Sequence, residues 1–217
     1  MFTGIIEATG TIASVSTKQG DLRLRVNTGA LDLSDVKLGD SIATNGVCLT
    51  VVACHADGFE ADVSRESLAH TRIGNWAAGT RVNLEKAMLP TTRMGGHIVS
   101  GHVDGVGVIA MRQNDARSVR FSVSVPAELR RYIAAKGSVT VDGVSLTTNA
   151  LTADGFELNI VPHTAAQTTL QSLQPGDHVH LEVDVIARYL EQLLGRATGA
   201  QETRITPEFL AGHGFWK

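Results

Sequence analysis

Aromatic residues make up only 5% of the chain, and the formal net charge is −3. A single-stranded nucleic-acid binder needs aromatic stacking platforms on a basic surface, so both scarcities argue against that class. A tandem oligonucleotide-binding barrel is therefore the weakest reading. Cysteine is nearly absent: Cys48 and Cys54 are the only two. They stand six apart in one expected strand, on one face and roughly 20 Å apart, so they cannot bridge each other. That usage fits a reduced compartment, and neither has metal-finger spacing. No apolar run is long enough to span a bilayer. Met1-Phe2-Thr3-Gly4-Ile5-Ile6-Glu7 has no basic flank and does not read as a signal peptide. The cytoplasm is the expected location. Phosphate-loop, dinucleotide and Ser-His-Asp signatures are missing too. His97 and His102, five apart, face opposite sides of an extended segment and make a poor metal pair.

What is present is a repeat. Residues 1–88 recur as residues 98–185 at a constant offset of 97, without a gap. Gly46-Val47-Cys48-Leu49-Thr50 matches Gly143-Val144-Ser145-Leu146-Thr147, and Asp57-Gly58-Phe59-Glu60 matches Asp154-Gly155-Phe156-Glu157. Val82, Leu84 and Glu85 match Val179, Leu181 and Glu182. A repeat this long is a whole domain written twice. A chain of 217 residues that is 43% hydrophobic can give each half a modest core.

Each half contains six short runs of β-branched and apolar residues, in the first copy Gly10–Val15, Leu22–Val26, Ser41–Thr44, Cys48–Ala53, Phe59–Val63 and Arg81–Leu84. Asp57-Gly58 and Asp154-Gly155 are hairpin signals between two such runs. The pattern predicts a small all-β barrel or sandwich in each half, with helical turns near Leu31–Val36 and Ala127–Ala134. Ala87–Gly96, with Pro90 and Gly95-Gly96, reads as the linker. The domains are therefore expected at 1–96 and 97–193. Ile186, Tyr189, Leu190, Leu193 and Leu194 then follow helical spacing, with Asp184 as a candidate cap and Gly195 as a stop. This apolar stripe packs either on its own barrel or on other subunits. Residues 194–217 hold the helix end and a polar tail, in which Thr206-Pro207-Glu208 looks like another helix start.

Duplication allows the halves to be compared position by position. Shared residues serve the fold or common contacts, and polar mismatches are candidates for distinct roles. Ile5 stands against His102, Gly39 against Lys136, Asn45 against Asp142, Cys48 against Ser145, Ser64 against Val161 and Glu66 against His163. Cys48 and Thr50 share one strand face, as do Ser145 and Thr147. They are either buried groups bonded to backbone or hydrogen-bonding groups facing a ligand. Gly101 before His102 permits close approach of a ligand.

Several motifs together resemble one family. Met1–Glu7, Asn45-Gly46-Val47-Cys48-Leu49-Thr50-Val51, Gly95-Gly96-His97-Ile98-Val99-Ser100-Gly101-His102-Val103 and Lys136-Gly137 with Asp142–Thr147 are similar to the hallmarks of riboflavin synthase, alpha chain. The resemblance covers roughly residues 1–194. It implies an all-β fold of two tandem six-stranded Greek-key barrels related by duplication, plus a C-terminal α-helix. It implies a transferase that passes a four-carbon unit between two molecules of 6,7-dimethyl-8-ribityllumazine, giving riboflavin and 5-amino-6-(D-ribitylamino)uracil. It implies no cofactor and no metal. It also implies a homotrimer held by the terminal helix, with the site where barrels of two subunits meet. An association with lumazine synthase is left open.

Residue by residue, the resemblance implies one pocket from Gly4, Ile5 and Ile6, with Cys48, Leu49 and Thr50 and with Asp62, Val63, Ser64, Arg65, Glu66 and Ser67. The other takes Gly101, His102 and Val103, Lys136, Ser145, Leu146 and Thr147, and Asn159, Ile160, Val161, Pro162, His163 and Thr164. His102 is the candidate base for the 7-methyl proton. Cys48 and Ser41 are candidates to activate or supply a nucleophile, and Phe2 to stack on a pteridine. The alternative is a non-catalytic lumazine- or flavin-binding antenna protein of the same fold. Such a protein binds one ligand per chain, whereas both halves here keep a polar pocket edge.

Overall fold

The structure is a computed structural model that describes residues 1–18, 21–198, 212 and 213. The first repeat forms β1 (Ala8–Lys18), β2 (Asp21–Asn27), β3 (Ser41–Thr44), β4 (Val47–His55), β5 (Gly58–Val63) and β6 (Arg81–Lys86). They close into a barrel in the order β1-β2-β5-β4-β3-β6, the Greek-key order expected of the family. Every neighbouring pair is antiparallel. Closure leaves no free sheet edge.

The turns follow from local chemistry. Asn45 and Gly46 both have positive φ, at 45° and 80°, which is what a two-residue hairpin loop requires. Asp142 and Gly143 repeat it at 47° and 80°. Asn45-Gly46 and Asp142-Gly143 carry the same kind of hairpin signature as the pairs at 57–58 and 154–155. The long strand β1 pairs with β6 through its first part and with β2 through the rest, and its register shifts between Ile12 and Ser14. Such a bulge bends a strand around a barrel corner.

The second repeat forms β7 (Gly105–Asp115), β8 (Ser118–Ser124), β9 (Ser138–Val141), β10 (Val144–Thr147), β11 (Ala150–Leu151), β12 (Gly155–Ile160) and β13 (His178–Val183). Its bulge, between Ile109 and Met111, sits at the duplicated position. Here the expected six strands become seven, because the counterpart of β4 is broken at Thr148–Asn149 into β10 and β11. The sheet therefore runs β10-β9-β13-β7-β8-β12-β11, with two pieces of one strand at its ends. Thr148 keeps the bonds of its duplicate Val51: its carbonyl accepts from Lys136 N–H at 2.8 Å and its N–H donates to Gly137 O at 2.9 Å, as Val51 bonds to Gly39 and Asp40 in the first barrel.

Each barrel has its own core. Phe59 and Phe156, duplicates of each other, are fully buried. So are Leu24, Val26 and Leu84 in the first and Val179 and Leu181 in the second. Each large side chain contributes roughly 1.5–3 kcal/mol. A small third cluster of Phe2, Ala43 and Val99, with Cys48 packed on it, lies outside both cores.

The two cysteines do not share a face. Between Val51 and Ala53 the register of β4 shifts by one residue. Cys48 pairs with Ala43, opposite in facing to the buried pair Leu49 and Ile42, whereas Cys54 pairs with the core residue Phe59. The bulge turns the strand over, so counting by twos fails across it.

The segment 87–96 carries no strand or helix, in keeping with a linker. The expected turn at Ala127–Ala134 is a 3-10 turn at Arg130–Tyr132, while 31–36 has only an irregular turn. Two matched helices follow β5 and β12: α1 (Arg65–His70), whose cap Ser64 accepts from Ser67 N–H, and α2 (Pro162–Gln167), with Pro at its first position. Residues from Ile186 onward form a separate unit. The helix α3 spans Val185–Thr198 and runs through Gly195, which does not stop it. A glycine costs about 1 kcal/mol there, too little to end a helix by itself. Ile186, Tyr189, Leu190, Leu193 and Leu194 are all more than half exposed. Thr206-Pro207-Glu208 lies outside the described residues.

Candidate active site

Ahead of each barrel runs a short irregular arm. Glu85 on β6 and Glu182 on β13, identical across the repeat and both buried, hold these arms down. Glu85 accepts from Thr3 N–H at 2.6 Å, from the Thr3 hydroxyl at 2.7 Å and from Gly4 N–H at 2.9 Å. Glu182 accepts from the N–H groups of Ser100, Gly101 and His102 at 2.6, 3.0 and 3.1 Å. Burial pushes the Glu182 carboxyl up to about 7, with Asp104 adding to the shift and the three N–H bonds opposing it. Glu85 is raised for the same main reason. Sequence reading noted both glutamates as repeat matches and missed what they do. A matched acid inside a strand whose neighbours are apolar was the available signal.

The arms are exchanged between the barrels. Cys48 of the first barrel donates its backbone N–H to Gly101, on the arm of the second repeat, at 2.8 Å. Ser145 of the second barrel donates to Gly4, on the first arm, at 2.7 Å. Phe2 and Val99 form a bridge where the arms cross. This corrects the expected grouping: Gly101–Val103 belongs with Cys48 and α1, and Gly4–Ile6 belongs with Ser145. A constant offset pairs equivalent residues but cannot show that equivalent arms have traded places.

In the first barrel the arm and α1 enclose a cleft of about 250 Å³. Cys48, Glu66 and Ser67 line it from the barrel side and Gly101, His102 and Val103 from the arm, with His70 and Thr71 beside them. Cys48 is half-buried and shares the outer face of its ladder with Thr50 and Ser41, which pair directly. In the second barrel Ser145 and Thr147 keep that facing on β10, paired with Thr140 and Ser138. Asn159 occupies an exposed position one residue before the end of β12, and His163 and Thr164 stand in the first turn of α2. A larger cleft, about 400 Å³, is floored by Glu85 and Lys86 and rimmed by Leu89 and Arg93. Among the expected site residues only Ile5 borders it.

Other expected residues have structural duties. Phe2 is fully buried, so its ring has no face open to a pteridine. It packs under the arm: a Cβ on Gly101, whose φ is +78°, would stand 2.9 Å from the Phe2 ring and 2.8 Å from Cys48 Cβ. Gly101 is thus required by the protein's own packing. Leu49, Val63 and Ile160 point into the cores, leaving only their backbone for recognition. Leu146 is half-buried against the second core. Asp62 accepts a two-pronged bond from Arg23 at 2.6 and 2.7 Å, Ser64 caps α1 and Val161 occupies the same cap position for α2. Arg65 and Lys136 are exposed, and Lys136 has φ +65° where the first copy has Gly39. Among the described residues no group of three or more His, Cys, Asp or Glu side chains could hold a metal ion.

The two barrels meet tip to tip at Gly46 and Gly143. A Cβ on either would come within 2.8 Å of the other's backbone nitrogen. Around that contact the bonds are reciprocal. Asn83 donates its side-chain amide to Asp142 O at 2.9 Å, and its duplicate His180 bonds through Nδ1 to Asn45 O at 2.8 Å. Asn83 accepts from Thr169 N–H and His180 Nε2 from Arg72 N–H, both at 2.8 Å. Equivalent residues thus make equivalent bonds across a pseudo-two-fold axis, which relates the Cys48 cleft to the Ser145 surface.

A duplicated pair of Greek-key barrels with exchanged arms and two matched polar surfaces defines a protein class with two related small-molecule pockets. The sequence profile of the lumazine binding domain matches residues 3–87 and 100–184, one match per barrel. The chain is 50% identical to a riboflavin synthase of Photobacterium phosphoreum over 99% of both chains. It is 45% identical to one of Mycobacterium tuberculosis, over 91% of this chain and all of that one. It is 40% identical to one of Bacillus subtilis (strain 168), over 99% of this chain and all of that one. The chain belongs to the riboflavin synthase family. Its fold is also that of LumP complexed with riboflavin, with a TM-score of 0.78 at 23% identity, covering 84% of this chain and 99% of that one. LumP complexed with 6,7-dimethyl-8-(1'-D-ribityl) lumazine gives 0.76 with the same identity and coverage.

Proposed function

We propose that the chain catalyses the dismutation of two 6,7-dimethyl-8-ribityllumazine molecules by four-carbon transfer, giving riboflavin and 5-amino-6-(D-ribitylamino)uracil. The observation that carries this is the pair of matched surfaces of unlike chemistry, Cys48 with His102 in one and Ser145 with Ile5 in the other. Two pockets hold two like molecules, and their differences let one act as donor and the other as acceptor. Holding both reactants oriented removes much of the entropic barrier of a bimolecular step.

The first pocket takes its ligand between α1 and the second arm, with the residues 48–50, 62–67 and 101–103. The second uses 4–6, 136, 145–147 and 159–164. Backbone groups of the arms read the pyrimidine edge, and Ser67, Asn159 and Thr164 bond ribityl hydroxyls. His102 takes up the acidic 7-methyl proton of the lumazine beside Cys48. Cys48 and Ser41 activate or supply the nucleophile that adds at C7. Phe2 serves this site by supporting Cys48 and Gly101 from below.

The functional modules are 1–96 and 97–193. The exposed apolar stripe of α3 supports a homotrimer in which barrels of two subunits face each other across the reacting pair. The free cysteines suit a cytoplasmic protein. Association with lumazine synthase, which would deliver the substrate, belongs to the same reading. The test is turnover of purified protein with lumazine alone. One riboflavin should form for every two lumazines consumed, and binding of both compounds without turnover would overturn the reading in favour of an antenna protein.

A further inference from the structure

A histidine outside the repeated segments lies against the second pocket. His97 stands at the end of the linker, one position ahead of the second repeat. Its Nδ1 is 2.7 Å from the Ser145 hydroxyl. Its Nε2 is buried and has no hydrogen-bond partner. The ring is fixed from its backbone as well, since His97 N–H donates to Thr3 O at 3.2 Å. The preceding Gly96 packs so closely that a Cβ there would stand 2.7 Å from Ser145 Cβ. An isolated histidine on a linker has no reason to be held this tightly against a residue on another strand.

We propose that His97 is a positioning residue of the second pocket, fixing the Ser145 hydroxyl in one hydrogen-bonding direction toward the pteridine bound there. This inference rests on the lumazine reading above. Burial lowers the affinity of His97 for a proton, outweighing the attraction of Asp184, so the ring is neutral at pH 7. A neutral imidazole whose Nδ1 engages the hydroxyl leaves that hydroxyl one defined role instead of free rotation. Cys48, the duplicate of Ser145, has no such partner: it packs on Phe2, Ala43 and Val99 and faces His102 across a cleft. An imidazole thus stands close to each of the duplicated side chains Cys48 and Ser145, but from different origins. His102 comes from an exchanged arm and is free to meet the ligand, whereas His97 comes from the linker and acts through a serine. That difference distinguishes two ligands of identical structure.

The experiment compares His97→Asn with His97→Gln in the full chain, read by riboflavin titration with fluorescence detection. Ser145→Ala marks which of the two binding phases belongs to the second pocket. The asparagine amide reaches the position of Nδ1 and the glutamine amide that of Nε2, while glutamine matches histidine better in volume. The expected result is second-pocket affinity within about twofold of wild type for Asn and roughly five- to tenfold weaker for Gln, the worth of one neutral hydrogen bond. In the Ser145→Ala background the two variants should be equal. Better retention by Gln would show a packing role and overturn the proposal, as would equal affinities of both variants in the wild-type background. Failure of the wild-type chain to bind riboflavin at all would instead overturn the lumazine reading.

Discussion

His180 Nε2 accepts a hydrogen bond from the backbone N–H of Arg72 at 2.8 Å. Because that nitrogen is an acceptor, the proton must sit on Nδ1, which then donates to Asn45 O at 2.8 Å. A second ring proton would point at the Arg72 N–H. Burial therefore lowers the His180 pKa to about 4, and the charge of Arg72 works in the same direction. Trp76 packs on the ring at 5.9 Å between centroids, and the Asp142 carboxyl lies 4.0 Å from Nδ1.

The first prediction concerns acid stability. Between its folded pKa of about 4 and the unfolded value of 6.5, His180 binds more protons in the unfolded chain. Its contribution is full above 6.5 and is lost as pH falls toward 4, about 2 kcal/mol by pH 5. Asp142 and Glu182, both raised to about 7, act oppositely: the folded chain holds the extra protons, and their contribution is lost as pH rises from about 4 through 7. His180→Asn copies the Asn83 solution and removes only the first effect. Between pH 7 and pH 5 the change in unfolding stability should be more favourable in this variant than in wild type by about 2 kcal/mol. An identical change in both would show that His180 does not carry this pH dependence.

Glycines at positive φ separate backbone strain from packing. Gly39 has φ +92° and open space where a Cβ would go, whereas Gly101 has φ +78° and meets Cys48 and Phe2. Gly39→Ala should cost about 1–2 kcal/mol, the left-handed penalty alone. Gly101→Ala should cost about 2–3 kcal/mol more, from overpacking. It should also slow turnover by displacing His102. Denaturant unfolding beside steady-state rates measures both effects, and equal costs for the two variants would contradict the close packing of the arm.

Exchanging the matched residues tests whether the pockets have distinct roles. Cys48→Ser and Ser145→Cys should lower turnover by roughly tenfold with little change in riboflavin affinity, because an interaction made in the transition state is lost without ground-state loss. His102→Gln should lower turnover by about 10²-fold and flatten the acid limb of the pH–rate profile. Parallel losses of affinity and rate would mean that these side chains only hold the ligand.

The last prediction concerns assembly. Residues Ile186, Tyr189, Leu190, Leu193 and Leu194 are exposed on one chain and need a partner surface. Deleting the chain from Val185 onward should yield monomers in sedimentation, with much reduced turnover. A trimer that survives the deletion would show that the helix does not hold it.

The strands, the duplication and the family were legible from residues alone, because each rests on local pattern: alternation with period two, Asp-Gly turns, or a run of matched positions. The helix α3 was legible from its apolar spacing, although its end was not, since one glycine cannot outweigh helical propagation. The bulge in β4 was invisible, because an extra residue in a strand has no signature of its own and reverses the facing of everything beyond it, Cys54 included.

Sequence thus determined which residues are equivalent, and the mismatches Cys48 with Ser145 and His102 with Ile5 were correctly marked as places where the halves differ. Only the tertiary structure decided which residues are neighbours. The exchanged arms bring His102 to Cys48 and Gly4 to Ser145, Glu85 and Glu182 pin those arms from beneath, and His97 meets a serine 48 residues away. Phe2 became a buried support instead of a ligand contact. These contacts depend on where a symmetry axis falls between two barrels. That position is set by the two glycine turns that let the barrels touch and by the hydrogen bonds each half must satisfy on the other, which are long-range properties that no local pattern encodes.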